Sequence, residues 1–220
     1  MSRIVAGRAG GRRLETPAGA NTRPTTDRVR EAFFSVLASW NGTGDRAADD
    51  QLAGLSFLDL YAGSGAVGLE AASRGARPVL LVEQDGRTHD LIRRNIATTG
   101  LPATSRAARA ETLVAARNPD PAYDVVWLDP PYGLAVESIN PILANIVANG
   151  WVRDDGVIIL ERSGRGDAPD LPGAESWSRR YGETTLFWFA PDGEAGGGDG
   201  NAADATHDNP AGSPAGQEEL

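Results

Sequence analysis

Three acidic residues are placed where they could do chemistry, and each is bound to an apolar run. Asp129 closes Asp124-Val125-Val126-Trp127-Leu128 and precedes Pro130-Pro131-Tyr132-Gly133. Asp59 sits inside Leu55 to Tyr61, just ahead of Ala62-Gly63-Ser64-Gly65. Glu83 closes Pro78-Val79-Leu80-Leu81-Val82, 24 residues after Asp59. Runs with apolar residues on both faces predict strands of a parallel sheet covered on both sides. The two prolines stop the Asp129 run, because neither donates a backbone N–H and each forces the residue before it to be extended. Asp129 is therefore expected at the carboxyl end of a central strand, where open α/β sheets bind ligands.

The corner behind Asp129 suits a flat ring that carries an exocyclic amine. Such a ring can stack on Tyr132 while its amine donates to the Asp129 carboxylate and to the Pro130 carbonyl. An amine on an aromatic ring is a poor nucleophile, because its lone pair is delocalised. Two acceptors pull it toward sp³ and aim the lone pair at an electrophile. A structural aspartate before a Pro-Pro turn is the plainer alternative. Asp-Pro-Pro-Tyr resembles the signature of amino-methyltransferases that use S-adenosylmethionine and act on adenine, cytosine, guanine or glutamine amides.

Gly63-Ser64-Gly65-Ala66-Val67-Gly68 also matches G-x-G-x-x-G, the dinucleotide fingerprint. That raises a rival, a nicotinamide-dependent oxidoreductase. Three features oppose it. Asp59 lies four residues before Gly63, where it would meet a ligand's ammonium group but repel a pyrophosphate. The two histidines, His89 and His207, fall mid-helix and in the tail, so no hydride-transfer dyad is evident. A dehydrogenase also has no need of Asp-Pro-Pro-Tyr. A non-catalytic RNA-binding module is a third class, and the set Asp59, Glu83 and Asp129 argues against it. An acid at the end of the second core strand is placed to accept from both hydroxyls of a ribose.

The surrounding pattern supplies the elements. Ser2 to Glu15 reads as a hairpin, with Ile4-Val5 and Arg12-Leu14 flanking a turn at residues 7–11. Arg3, Arg8, Arg12 and Arg13 make it either a charged, solvated edge or an arm that grips phosphate. Thr25 or Thr26 can cap a helix whose apolar face is Val29, Phe33, Val36 and Leu37. Arg23, Arg28 and Arg30 crowd its first turn against the helix dipole, and a locally unfavourable choice hints at function. Asn41 to Asp50 reads as a polar linker.

Strands are then expected at Leu55–Tyr61, Pro78–Glu83, Asp124–Asp129 and Gly156–Glu161, with helices after Gly65, over Arg87–Thr99 and over Ser138–Asn149. A further strand end and its loop fall within Ser105–Glu111. Trp177–Tyr181 and Thr184–Ala190 read as a closing antiparallel pair. Alternating strands and helices predict an α/β fold, a mostly parallel sheet with helices on both faces. The organisation expected is an N-terminal hairpin and helix over 1–50, a main domain over 51–190 and a disordered acidic tail over 191–220.

Composition narrows the class. The chain of 220 residues has no cysteine, which excludes disulfides, thiolate metal sites and a cysteine nucleophile. No apolar run approaches the ~20 residues of a membrane span, and the Arg-rich N-terminus lacks a signal-peptide apolar region. A soluble cytoplasmic protein is expected. The net charge of −9 is unevenly spread. Residues 192–220 hold seven acids and no Arg or Lys, whereas residues 1–30 hold seven arginines against Glu15 and Asp27.

Arg23-Pro24-Thr25-Thr26-Asp27-Arg28-Val29-Arg30-Glu31, Phe57-Leu58-Asp59-Leu60-Tyr61 with the glycine loop through Ala71, and Leu128-Asp129-Pro130-Pro131-Tyr132 together resemble a bacterial family. It is the small-subunit rRNA guanine-N2 methyltransferase family, named for guanine 966 of 16S rRNA. The resemblance covers residues 2–190 and implies the Rossmann-like class I methyltransferase fold with a seven-stranded sheet. It implies S-adenosylmethionine as cofactor, with Asp59, Gly63 and Gly65 at its methionine end and Tyr61, Ala62 and Ser64 beside them. Glu83 would hold the ribose, with Gln84 next to it, and a backbone amide of Arg109-Ala110 would read the adenine. The turn Arg23 to Arg30, including Thr26 and Arg28, would close over the cofactor or meet RNA. Asp129, Pro130, Pro131 and Tyr132 would position the guanine. The partner implied is 16S rRNA in a partly assembled small subunit; no metal is expected, and a monomer is. Adenine N6, or another nucleic-acid or amide amine, is the alternative target.

Overall fold

The computed structural model describes residues 2–17, 27–163 and 167–191. The chain enters through a short antiparallel pair, β1 (Ser2–Arg3) and β2 (Arg13–Leu14), followed by α1 (Asp27–Trp40). Then come β3 (Phe57–Leu60), α2 (Ala66–Ser73), β4 (Val79–Glu83), α3 (Gly86–Thr99), β5 (Thr104–Ala107) and α4 (Ala110–Val114). β6 (Tyr123–Leu128), α5 (Val136–Ala148), β7 (Val152–Ser163), β8 (Ala174–Tyr181) and β9 (Thr184–Pro191) complete it.

Seven strands form one sheet in the order β5-β4-β3-β6-β7-β9-β8. β3 to β7 run parallel, and β9 lies antiparallel to both β7 and β8. The chain leaves β3 first toward β4 and β5 and later returns on its other side with β6. The order therefore reverses between β3 and β6, which opens a crevice at their carboxyl ends. β3 is buried at all four positions, as its apolar run predicts for a strand covered on both faces.

Two apolar layers flank the sheet. On one face Phe33, Phe34 and Leu37 of α1, Leu69 of α2 and Ile92 of α3 pack on Phe57, Trp127, Ile159 and Trp188. On the other, Leu113 and Val114 of α4 and Ile139, Ile142 and Ile146 of α5 pack on Leu58, Leu60, Val126 and Ile158. Residues 1–50 do not stand apart: Ile4, Ala9 and Leu14 join the first layer with α1. The buried face of α1 is Arg30, Phe33, Phe34, Leu37 and Ala38, turned from the expected face so that Val29 and Val36 lie at its margin. Residues 41–50 form turns rather than a plain linker, and buried Thr43 ties the end of α1 to Gln51 through its hydroxyl (2.6 Å).

The β1–β2 arm is docked against α2 on its inner side, while Arg3, Arg8, Arg12 and Arg13 stay exposed. Glu70 of α2 is fully buried, and its carboxylate accepts from the Val5 N–H (2.6 Å) and the Ala6 N–H (2.9 Å). Arg74 donates to the same carboxylate at 2.9 Å. The Ser73 hydroxyl accepts from Ala9 N–H and donates to the Ala6 carbonyl. Gly7 lies so close that an added Cβ would sit 2.1 Å from the Ser73 carbonyl oxygen. Pro191, expected in the tail, pairs with Ala174 of β8; residues 192–220 lie outside the described residues.

Candidate active site

The three acids arrive together at the crevice. A cavity of about 360 Å³ opens over the ends of β3, β4 and β6, lined by Asp59, Glu83 and Asp129. Of the other residues read from sequence, Tyr61, Ala62, Gly63, Ser64, Gln84, Ala110, Pro130, Pro131 and Tyr132 also line it. The sheet register brings them into one place: Asp59 pairs with Leu81 on β4 and with Trp127 on β6.

Asp59 is buried, and its Oδ2 accepts from the Gly68 N–H at 2.9 Å. Burial lifts its carboxyl to about 7, against the opposing pull of that N–H and with help from the Glu83 charge. A ligand cation beside Asp59 would restore its charge. Gly68 lets α2 come this close: a Cβ there would sit 2.4 Å from Leu81 Cδ2 and 3.1 Å from Asp59 Oδ2, so both side chains would have to shift. Glu83 is committed on both oxygens to backbone. Its Oε2 accepts from Gly63 N–H (3.0 Å) and its Oε1 from Asp85 N–H (2.9 Å). Each oxygen keeps a second lone-pair direction for a ligand hydroxyl.

Tyr61 holds a left-handed backbone (φ 65°) at the end of β3, a conformation disfavoured for a bulky residue. Its hydroxyl donates to Glu111 Oε1 at 2.9 Å, and burial together with that carboxylate pushes the phenol above its usual range. Gly65, at φ 79°, turns the chain into α2 without lining the cavity. Asp129 is half-buried, and its carboxyl is raised well above the usual range by burial, then by Glu161 and Asp59. Pro130 is buried, while Tyr132 stands half-exposed at the rim. The Leu134 N–H bonds to the Pro131 carbonyl, and Arg162 donates to the Leu134 carbonyl (2.7 Å), which fastens the loop that carries Tyr132.

Several predicted site residues lie elsewhere. Arg30 does not line the cavity; its guanidinium donates to Asp27 Oδ1 (2.6 Å), the Arg3 carbonyl (2.8 Å) and Ser2 Oγ (3.3 Å). Reaching back to Asp27 and Arg3 also relieves the clash with the helix dipole that sequence alone suggests. The Arg109 side chain is exposed, 3.7 Å from Glu111, while its chain neighbours Ala108 and Ala110 line the cavity. The short helix α4 begins inside the stretch expected as a loop, at Ala110–Glu111; its five residues give too little periodicity to mark it in the sequence.

Of the residues expected to meet RNA, Arg12 donates to the Thr98 and Thr99 carbonyls at the end of α3 (2.8 and 3.3 Å), and Arg3 pairs with Asp27 (2.9 Å). Arg8, Arg13 and Arg28 are exposed. Arg23 and Thr26 lie outside the described residues. Sequence reasoning missed Ser2, Thr16, Pro17, Ala66, Val67, Val82, Ala108 and Trp127 as cavity residues. Ala66, Val67 and Ala108 continue the loops already singled out; Ser2, Thr16 and Pro17 carried no signal. Among the described residues no group of His, Cys, Asp or Glu is arranged to hold a metal ion, and no helix is long and apolar enough to cross a membrane.

The family described as "Conserved hypothetical protein 95" matches residues 2–190. The chain belongs to this family. Among its relatives is "Ribosomal RNA small subunit methyltransferase D" of Escherichia coli (strain K12), 34% identical over 178 residues, which span 80% of this chain and 81% of that protein. "Putative rRNA methyltransferase YlbH" of Bacillus subtilis (strain 168) is 30% identical over 187 residues, 83% of this chain and 95% of the other. A solved structure, "Putative methyltransferase yhhF from Escherichia coli", superposes with a TM-score of 0.71 at 30% identity, covering 86% of this chain and 97% of that one. The family's architecture is the class I methyltransferase fold, with the cavity at the point where the strand order reverses.

Proposed function

We propose that this chain transfers a methyl group from S-adenosylmethionine to the exocyclic N2 amine of a guanine in 16S rRNA. One observation carries the reading: the Asp129-Pro130-Pro131-Tyr132 corner opens into the same cavity as Asp59 and Glu83. A cofactor wall and an amine-accepting corner thus share one space. The donor set suits S-adenosylmethionine. Asp59 is a buried carboxylate that gains from a ligand ammonium, and Glu83 has acceptor capacity for ribose hydroxyls. The same Asp59 disfavours a pyrophosphate, which weighs against a nicotinamide dinucleotide.

Bound there, S-adenosylmethionine supplies a methyl group on a sulfonium, already a strong electrophile. The chain's work is therefore mostly orientation. Asp129 and the Pro130 carbonyl accept from the amine and direct its lone pair, and Tyr132 offers a face for the base. The amine must shed a proton after transfer, and the Asp129 carboxylate receives it. The base must leave its stack to enter the cavity.

The substrate in this reading is a partly assembled small subunit, met by the protein as a monomer in the cytoplasm. The relatives' names support rRNA as target. The test incubates the protein with isotopically labelled S-adenosylmethionine and small subunits from a strain lacking the endogenous modification. Digested rRNA is then analysed by mass spectrometry. N2-methylguanosine at one site is the expected product; label on adenine N6 would replace the guanine reading.

A further inference from the structure

Asn95 of α3 is 1% exposed, and among the described residues the hydrogen bonds of its side-chain amide all go to backbone. Its Oδ1 accepts from the Glu15 N–H at 2.9 Å. Its Nδ2 donates to the Glu15 carbonyl at 3.0 Å and to the Ser64 carbonyl at 2.9 Å. Glu15 is the last arm residue before Thr16 and Pro17, which line the cavity; Ser64 is in the glycine loop and lines it too. One planar amide thus spans the exit of the arm and the turn that would cradle the cofactor. At its other end the arm is anchored by Glu70 and Ser73 of α2, the helix that springs from that same loop.

We infer that Asn95 is a positioning residue that couples ligand binding in the cavity to the order of the basic arm. The identity of the two ligands, S-adenosylmethionine and RNA, rests on the function proposed above. A planar amide can satisfy all three partners only when both segments are in register. A ligand that fixes the Ser64 carbonyl fixes the amide plane, and with it both bonds to Glu15. The arm that carries Arg8 and Arg13 is then held in place when the cavity is filled. Such coupling is reciprocal, so an arm held by RNA also tightens the cofactor.

The test is amide hydrogen exchange on the full-length protein, with and without saturating S-adenosylhomocysteine, for the parent and for Asn95→Ala and Asn95→Asp. Calorimetry checks ligand binding in each. In the parent, the ligand should slow exchange in the glycine loop and, by about tenfold, at the arm amides of Val5, Ala6, Ala9 and Glu15. In the variants the loop should still respond while the arm no longer does. A merely structural Asn95 would speed arm exchange in the ligand-free protein yet keep the ligand-induced slowing, and that result overturns the inference. So does a parent arm that ignores the ligand, a measurement that needs no variant to fold. A parent that shows no binding in calorimetry removes the proposed cofactor and this coupling with it. Binding without an arm response removes the coupling alone.

Discussion

Asp59, Glu83 and Asp129 reach the cavity from strand ends, whereas Ser2, Thr16 and Pro17 reach it from an arm that is mostly loop. The first group is placed by the register of three parallel strands, each held by a ladder of backbone bonds on both sides. No single side chain decides where those acids sit. The second group is placed by three polar side chains that answer arm backbone, Glu70, Ser73 and Asn95, and by the arm's own Arg12, which reaches the end of α3. The sheet wall should therefore tolerate loss of an acid without moving, so that such a loss reads out as chemistry or affinity. The arm wall should respond to loss of an anchor by moving as a whole.

Asp129→Ala tests the sheet wall most severely. Removing one of the two acceptors for the amine should slow methyl transfer at least ~10²-fold. Cofactor affinity should stay within a few-fold of the parent, because the strand register does not depend on this side chain. Single-turnover assays with small-subunit particles, paired with calorimetry, separate the two effects. A variant that transfers at the parent's rate would remove Asp129 from the reaction. One that also loses the cofactor would show that the sheet wall is less rigid than its register implies.

Asp59 gives the next largest effect, and its sign can be worked out. Its carboxyl rises from 3.8 to about 7 in the ligand-free fold, so between those values the folded state holds the proton and the unfolded state does not. This stabilising contribution is full below about pH 4 and is lost as pH rises through 7, on the order of 4 kcal/mol in total. Ligand binding should show the opposite trend, because an ammonium group needs the ionised carboxylate. Cofactor affinity should weaken as pH falls below 7. Asp59→Asn should flatten both profiles: urea unfolding of the ligand-free variant loses this pH dependence, and its cofactor affinity is weak at every pH. A parent whose cofactor affinity is constant from pH 5.5 to 8 would show that Asp59 does not meet the ligand's charge.

The difference between the walls also explains what could be read from the sequence. Strand ends announce themselves, because an apolar run that breaks at an acid, a glycine or a proline marks both the element and its exit. Asp59, Glu83 and Asp129 are legible that way, and alternating strands and helices give the mostly parallel sheet, though not its strand order. The arm's docking left no such trace. Its anchors lie 64 to 87 residues away on α2 and α3 and look like ordinary polar residues of amphipathic helices. Arg30 illustrates the same limit: a cation in a first turn reads as functional, yet its partners Ser2 and Arg3 become neighbours only in the folded chain. Thr104–Ala107 was hard to delimit because that edge strand is largely exposed and has no apolar run.

Glu83→Ala sharpens the comparison within the sheet wall. Loss of a charge-assisted pair to the ribose should weaken S-adenosylmethionine by roughly 1.5–3 kcal/mol, with transfer at saturation much less affected. Because Glu83 also accepts from Gly63 and Asp85, Glu83→Gln separates the two jobs. An amide oxygen can still take one of those N–H groups, so Gln should recover part of the affinity. Unchanged calorimetric affinity in both variants would leave Glu83 as a strand-end support for the glycine loop only.

The smallest effect lies on the arm and divides its arginines. Arg8 and Arg13 are exposed, and among the described residues no side-chain hydrogen bond or ion pair holds either one. Arg12 is spoken for by the Thr98 and Thr99 carbonyls, which sit at the carboxyl end of α3 where a cation is favoured. Each phosphate gripped by an arginine releases counterions, so the logarithm of RNA affinity falls with the logarithm of salt by about 0.7 per contact on a single strand. Replacing Arg8 and Arg13 together with Ala should flatten that slope by about 1.4 if both grip phosphate, while cofactor affinity is unchanged. Arg12→Ala should behave differently: the slope stays, but the arm loosens and cofactor affinity falls with it, since Thr16 and Pro17 lose a nearby anchor. RNA affinity across a salt series, with calorimetry at one salt, reads both. A double variant with the parent's slope would make the arm a cavity wall and nothing more. An Arg12 variant that loses slope but keeps the cofactor would mean that Arg12 leaves α3 to grip the RNA.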